Sequence, residues 1–230
     1  MTFLKSTSSD KPLKLPAQNR MIGFWMAFVW VLLTPFAGWA SQAPSQQKIL
    51  VVGDSLSAGY GVAQGEEWVQ LLANRLAESG ANIGVVNASI SGDTSAGGVS
   101  RLASLLQSHN PTWVVIELGA NDGLRGLSLK SMEQNLQTMI DMVRNSGAEA
   151  ILIGILIPPN YGKKYTDRFA LVYQNLAQKN TVPLLPFLLE GVAGNDAYMQ
   201  ADRLHPNADA QPLIEAHVWR FLGPMLENSD

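Results

Sequence analysis

A three-layer α/β/α sandwich with a five-stranded parallel sheet is the fold this sequence predicts, and three observations predict it. Short aliphatic and β-branched runs alternate with segments whose apolar residues recur at helical spacing. The runs are continuously apolar, as strands covered on both faces are, rather than alternating. The first three run out into small polar residues, Gly53-Asp-Ser55, Ser91-Gly-Asp-Thr94 and Gly119-Ala-Asn-Asp122. Alternation at this rhythm implies right-handed crossovers with helices on both faces of the sheet.

The elements follow in order. Ile49 to Val52 reads as the first buried strand, stopped by Gly53. Glu66 to Ser79 is helical, with Trp68, Val69, Leu71, Leu72 and Leu76 on one face and Gly80 as its stop. Ile83 to Ile90 is the second strand, and Val99 to Leu106 the helix that follows it. Trp113 to Leu118 is the third strand. Met132, Leu136, Met139, Ile140 and Val143 then make a helical stripe over Leu129 to Asn145, with Gly147 beyond it. Ala150 to Ile157 is the fourth strand, Tyr165 to Gln178 a helix, Val182 to Leu185 a short fifth strand, and Asn207 to Leu222 the closing helix.

Residues 1–40 have the composition of an export leader. Lys5, Lys11, Lys14 and Arg20 outnumber Asp10, an uncharged run passes through Phe24, Trp25, Phe28, Trp30, Val31, Leu32 and Leu33, and Gly38-Trp-Ala40 offers small residues for cleavage. The competing reading is an uncleaved anchor, since a membrane span takes about 20 apolar residues. Pro35, Gly38 and the polar Ser41 to Gln47 favour cleavage, and the intact mass of the exported protein separates the two. The expected organisation is a signal peptide over 1–40, a linker over 41–47 and one domain over 48–230, exported to the periplasm or secreted. The chain has no cysteine, so neither a lipobox thiol nor a disulfide is available. Removing 1–40 takes four of the 16 Lys and Arg and one of the 19 Asp and Glu, which leaves 12 against 18 and a net charge of −6. That balance argues against a nucleic-acid partner.

Ligands of open parallel sheets bind beyond the carboxyl ends of the strands, so Ser55 is a candidate nucleophile where the first strand ends. Its ordinary reading is a strand-to-loop turn, in which Gly, Asp and Ser are common. The chain has three histidines. His109, at a helix end before Asn110-Pro111, reads as a capping or solvated residue, and His217, beside Val218 and Trp219, as a packing one. His205 lies in Asp202-Arg-Leu-His-Pro-Asn207, where Pro206 suits the first position of the last helix. A three-residue offset lets the Asp202 carboxylate reach one imidazole nitrogen and leaves the other for a hydroxyl, the orienter and base of a hydrolytic triad. Asp202 as a simple helix cap is the alternative. Serine attack on a carbonyl also needs hydrogen-bond donors for the oxyanion. The backbone N–H of Gly92 and the side-chain amide of Asn121 are candidates, although Gly92 also suits a turn and Asn121 an Asx turn. Ser57, Ser91 and Ser95 read as turn formers. Asp54 is expected to accept backbone N–H bonds within its own loop. Asp54, Asp93 and Asp122 are scattered without metal-ligand spacing, and no cofactor is expected.

In this order, Gly53-Asp-Ser-Leu56, Gly92, Gly119-Ala-Asn-Asp122 and Asp202-x-x-His205 resemble the SGNH (GDSL) hydrolases. Within that family the chain resembles the multifunctional thioesterase I, lysophospholipase and arylesterase group through Asn87-Ala-Ser-Ile-Ser-Gly-Asp-Thr94, Gly123-Leu-Arg-Gly126, Ile157-Pro-Pro-Asn-Tyr-Gly162 and His205-Pro-Asn207. The resemblance spans Lys48 to Leu226. It implies a flavodoxin-like α/β fold, Ser55 as nucleophile with Asp202 and His205, and an oxyanion hole of the Ser55 N–H, the Gly92 N–H and the Asn121 side chain. It also implies thioesters, lysophospholipids and aryl or alkyl esters as substrates, a membrane lipid among them.

Two positions depart from the group. Arg203-Leu204 stands where Gly-Ile is usual, and Ala120 where a second Gly is usual. A guanidinium beside His205 is expected to alter the pH–rate profile, so that Arg203→Gly would change it. Leu124, Leu127, Ile157, Pro158, Pro159 and Tyr161 are expected to line an apolar groove for medium to long acyl chains. The Gly-flanked loop Gly123 to Gly126 is expected to move over them. Three alternatives stand beside this reading. An α/β-hydrolase would carry a second Gly at the nucleophile elbow, which this chain lacks. A carbohydrate O-acetyl esterase would prefer acetylated sugars, and a binding module would hydrolyse nothing. A monomer is the expected state.

Overall fold

The structure, a computed structural model, describes residues 46–227. The signal-peptide expectation for 1–40 and most of the expected linker lie outside these residues, and Gln47 already belongs to the first strand. That strand, β1 (Gln47–Gly53), sits inside a five-stranded parallel sheet. It is followed by α1 (Ser55–Ala58), α2 (Trp68–Glu78), β2 (Ile83–Asn87), α3 (Ser95–His109), β3 (Trp113–Glu117) and α4 (Ala120–Leu124). The chain continues through α5 (Leu129–Asn145), β4 (Glu149–Ile153), α6 (Lys163–Asn180), β5 (Leu184–Leu185) and α7 (Gln211–Glu227).

The strand order is β2-β1-β3-β4-β5. The chain moves outward from β1 to β2, then crosses back to lay β3 on the other side of β1. A crevice therefore opens at the carboxyl ends of β1 and β3, the place where doubly wound sheets bind their ligands. Ile49, Leu50, Val51 and Val52 are fully buried, because β1 is covered on both faces. The helices pack on single apolar faces: Trp68, Val69, Leu72 and Leu76 in α2, and Met132, Leu136, Met139, Ile140 and Val143 in α5. Ser128 caps α5 by accepting from the Ser131 N–H at 3.3 Å, an arrangement worth about 1 kcal/mol.

Four boundaries differ from expectation for identifiable reasons. β2 stops at Asn87 rather than Ile90, because the Asn87 amide turns aside to donate to the Ser57 carbonyl at 2.8 Å and to accept from the Ser89 N–H. α3 begins at Ser95 rather than Val99. Thr94 caps it, and Gly98 is tolerated inside it because a Cβ there would stand 2.4 Å from Leu118. β4 stops at Ile153, four residues early. Gly154 passes so close to the Pro186 carbonyl that a Cβ would stand 2.4 Å from it, and the apolar residues 155–157 leave the sheet. Pro206 does not open the last helix: it bridges Met199, and α7 starts at Gln211 after a 3₁₀ turn capped by Asn207.

Candidate active site

β1 delivers Ser55 to the crevice. Asp54 is completely buried and caps the short α1, with its Oδ1 accepting from the Leu56 N–H at 3.0 Å. Ser55 is the first residue of α1, where a backbone N–H has no carbonyl within the helix to bond. Its side-chain oxygen lies 2.9 Å from His205 Nε2, and His205 Nδ1 lies 2.7 Å from Asp202 Oδ2. With the Nδ1 proton donated to the carboxylate, Nε2 is left to accept the serine proton.

The segment carrying Asp202 and His205 is an irregular turn, not the helical turn expected. Asp202 Oδ1 accepts from the backbone N–H groups of Leu204 and His205 at 2.9 and 3.0 Å. Partial burial pushes the Asp202 carboxyl up. The imidazole bond and these two N–H groups outweigh it and hold the pKa down to about 2. Gln200, which the sequence did not single out, ties the turn in place. Its N–H donates to the His205 carbonyl at 2.8 Å, and its side-chain amide donates to the carbonyls of Tyr60 and Pro206 at 2.7 and 2.9 Å. The Tyr60 ring packs on His205, with centroids 4.5 Å apart.

Asn121 follows the end of β3 as the second residue of the short α4, which the sequence had presented as a loop. Its Nδ2 donates to Asp54 Oδ2 at 3.1 Å, and its Oδ1 accepts from Arg125 Nη2 at 3.4 Å. The amide is thus held at both ends, and its second N–H stays available. The same Arg125 nitrogen donates to the Gly92 carbonyl at 2.8 Å. Gly92 has φ of 81°, in the left-handed region that favours glycine. Its N–H has no bonded acceptor among the described residues. Arg125 was named in the sequence only as part of a motif, but here it links two of the three candidate oxyanion donors.

A cavity of about 760 Å³ opens beside Ser55 and Asn121. Leu124, Ile157 and Pro158 line it as expected, joined by Ile155, Leu156 and Phe187. The apolar run 155–157, expected as the end of a strand, therefore forms cavity wall instead. Phe187 and Leu189 come from the long connection before α7, in which no element was expected. Tyr161 does not line the cavity: its side chain is exposed and donates its hydroxyl to the Leu124 carbonyl at 3.0 Å. Leu127 is exposed and also off the wall. Gly123, expected in a moving loop, is wedged in α4, where a Cβ would meet the Phe169 ring at 2.6 Å.

The remaining candidates have other employment. Ser57 and Ser95 are fully buried and donate to Glu117 and Asp122, both at 2.6 Å, so they are core polar contacts rather than turn formers. Asp93 pairs with Arg101 at 2.8 Å. His217 Nε2 lies 3.0 Å from the Phe187 carbonyl, which fits a packing role, and the His109 carbonyl accepts from Lys48 Nζ at 3.2 Å.

Arg203 lies on the cavity rim with φ of 57°, and its guanidinium pairs with Asp196 at 3.3 Å. Both side chains are more than three-quarters exposed, so solvent screens the pair and it contributes little. What a glycine changes first here is therefore the backbone. Arg203→Gly is expected to raise the unfolding free energy in urea by about 0.5–1 kcal/mol, because only glycine takes a positive φ without strain.

Comparison with known proteins bears on the family and the fold. Residues 51–212 match the model of the GDSL-like lipase/acylhydrolase family. The chain is 50% identical to the esterase TesA of Pseudomonas aeruginosa over 186 residues, 81% of this chain and 92% of that one. It is 48% identical to an arylesterase of Vibrio mimicus over 78% of this chain and 88% of that one. It is 40% identical to thioesterase 1/protease 1/lysophospholipase L1 of Escherichia coli over 91% of this chain and 97% of that one. Among solved structures, that of TesA superposes with a TM-score of 0.76 at 50% identity, covering 78% of this chain and 99% of the other. AlinE4, an SGNH-hydrolase family esterase, superposes with a TM-score of 0.66 at 36% identity, covering 80% and 98%.

Proposed function

Since this chain belongs to the GDSL-like lipase/acylhydrolase family, we propose that Ser55, His205 and Asp202 are the triad with which it cleaves acyl esters and thioesters. The enzyme is a carboxylic ester hydrolase. The observation that carries the residue assignment is the unbroken chain from Asp202 through His205 to Ser55, at 2.7 and 2.9 Å, opening onto an apolar cavity.

In this reading Ser55 Oγ attacks the substrate carbonyl carbon as His205 Nε2 takes its proton. The Ser55 N–H, the Gly92 N–H and the free Asn121 N–H hold the oxyanion. The tetrahedral intermediate collapses, the leaving alcohol or thiol takes the proton from His205, and an acyl-enzyme remains. Water, deprotonated by the same imidazole, then frees the acid. Asp202 keeps the imidazole in the required tautomer and stabilises its cation.

The cavity wall supports medium to long acyl chains. Leu124, Ile155, Leu156, Ile157 and Phe187 offer them no polar partner, and the names of the relatives favour aryl esters, thioesters and lysophospholipids. Burying one methylene is worth about 0.8 kcal/mol, so kcat/KM is expected to rise by about fourfold per added carbon until the wall is covered. A series of p-nitrophenyl esters and acyl-thioesters measures this. A maximum at acetyl would contradict the reading and favour an O-acetyl esterase. On the same reading residues 1–40 are an export leader, and the enzyme is a monomer acting in the periplasm or outside the cell. No helix among the described residues is long and apolar enough to cross a membrane.

A further inference from the structure

Glu117 ends β3 directly beneath the nucleophile turn, and the triad chemistry gives it no task. Its side chain is completely buried. One oxygen, Oε2, accepts from the Ser57 hydroxyl at 2.6 Å and from the Asp54 N–H at 3.3 Å, so it grips the chain on both sides of Ser55. The other, Oε1, is buried with no hydrogen-bond partner among the described residues. The approach is close enough to dictate sequence: a Cβ on Gly53 would stand 2.6 Å from Oε2.

We propose that, in the hydrolysis assigned above, Glu117 is a positioning residue working as an uncharged carboxylic acid, which holds the residues flanking Ser55 and leaves Asp54 as the buried anion that orients Asn121. The two oxygens divide the roles. Oε2 is the carbonyl oxygen that accepts both bonds, and Oε1 carries the proton. An ionised Glu117 would place negative charge on an oxygen that no donor reaches, which is far more costly than an unpaired hydroxyl.

The neighbours agree. The titratable groups facing Glu117 are Asp54 from the β1–α1 turn and Tyr173 from α6, whose hydroxyl donates to the Leu118 carbonyl at 2.9 Å. No cation among the described residues pairs with Glu117. Burial, and then the proximity of Asp54, push the Glu117 carboxyl well above its ordinary range. Burial also pushes Asp54 up, but only to about 6, because the Leu56 N–H, Asn121 and His205 oppose it. Of the two, Glu117 is pushed up further and has no donor on Oε1, so a proton shared by the pair belongs on Glu117 and the charge on Asp54. The charge takes one N–H of Asn121 at 3.1 Å and leaves the second for the oxyanion.

Steady-state kinetics on a soluble p-nitrophenyl ester test this with wild type, Glu117→Gln and Glu117→Leu, each checked for fold by circular dichroism, with Ser55→Ala alongside. Glutamine keeps an acceptor and a neutral partner, so Glu117→Gln is expected to retain kcat within about threefold, with the acid limb of its pH profile unmoved. Glu117→Leu is expected to lower kcat about tenfold or more at unchanged KM, because the oxyanion donors lose their setting. If Gln falls as far as Leu, the charge is required and the proposal is wrong; it is equally wrong if Leu keeps full kcat. Should Glu117→Leu fail to fold, the infrared difference between wild type and Glu117→Gln at neutral pH decides. A protonated-carboxyl stretch supports the proposal, and carboxylate bands alone overturn it. Full hydrolysis by Ser55→Ala is a separate outcome, which would remove the triad reading and the positioning role with it.

Discussion

Ser55→Ala is expected to lower kcat by about 10⁴-fold or more while leaving KM for a p-nitrophenyl ester within a small factor. Among the described residues the serine hydroxyl is the one group within hydrogen-bond distance of His205 Nε2, at 2.9 Å, and its oxygen forms the covalent bond to the acyl carbon in the proposed route. Removing it leaves the cavity wall and the oxyanion donors intact, because the bonds holding them run through Asp54, Asn121 and Arg125 rather than through the Ser55 side chain. Substrate therefore still binds, and the residual rate measures what the donors and binding accomplish without a nucleophile. Purified variant and wild type, compared over a full substrate range, give both constants.

Asp202→Asn is expected to cost about 10⁴-fold in kcat, with little change in KM or fold. An amide at this position can turn its N–H₂ toward His205 Nδ1, which selects the tautomer with the proton on Nε2. That nitrogen then faces Ser55 as a donor and cannot accept the serine proton. The amide oxygen can still take the Leu204 and His205 N–H bonds at 2.9 and 3.0 Å, so the turn should survive. The pH dependence sharpens the prediction. With its pKa held down to about 2, the Asp202 carboxylate is charged through any ordinary working range. Its contribution to stability is full above the unfolded value and is lost as pH falls through about 2. Loss of activity on mild acidification therefore belongs to other groups. Asp54, pushed up to about 6, is one of them, since its protonation weakens the hold on Asn121.

Legibility in the sequence followed the range of the interaction concerned. The bounds of α5 coincide with expectation because its stripe and its stop are local. The carboxyl ends of the first three strands were legible because small polar residues mark them, but the order β2-β1-β3-β4-β5 was not, because it depends on pairing between distant segments. Asp202 and His205 were legible as a pair because they are three residues apart, although the turn joining them is not helical. What escaped were contacts between distant segments. Glu117 interrupts an apolar strand, and nothing near it in sequence shows that its partners are Ser57 and Asp54, about sixty residues earlier. Gln200 and Arg125 act through backbone carbonyls, which any residue supplies. Residues 155–157 are apolar for the sake of the cavity, and an apolar run looks the same in a strand as in a wall.

The assignment of Ser55 as nucleophile is the claim on which the rest depends, and covalent capture tests it most directly. The enzyme is treated with a p-nitrophenyl alkylphosphonate, and p-nitrophenolate release, intact mass and peptide mapping are followed together. The expected result is one equivalent of p-nitrophenolate released, a mass increase of one phosphonyl group mapped to Ser55, loss of activity in step, and no labelling of Ser55→Ala. A phosphonyl group on any other residue, or undiminished hydrolysis by a fully labelled enzyme, would contradict it.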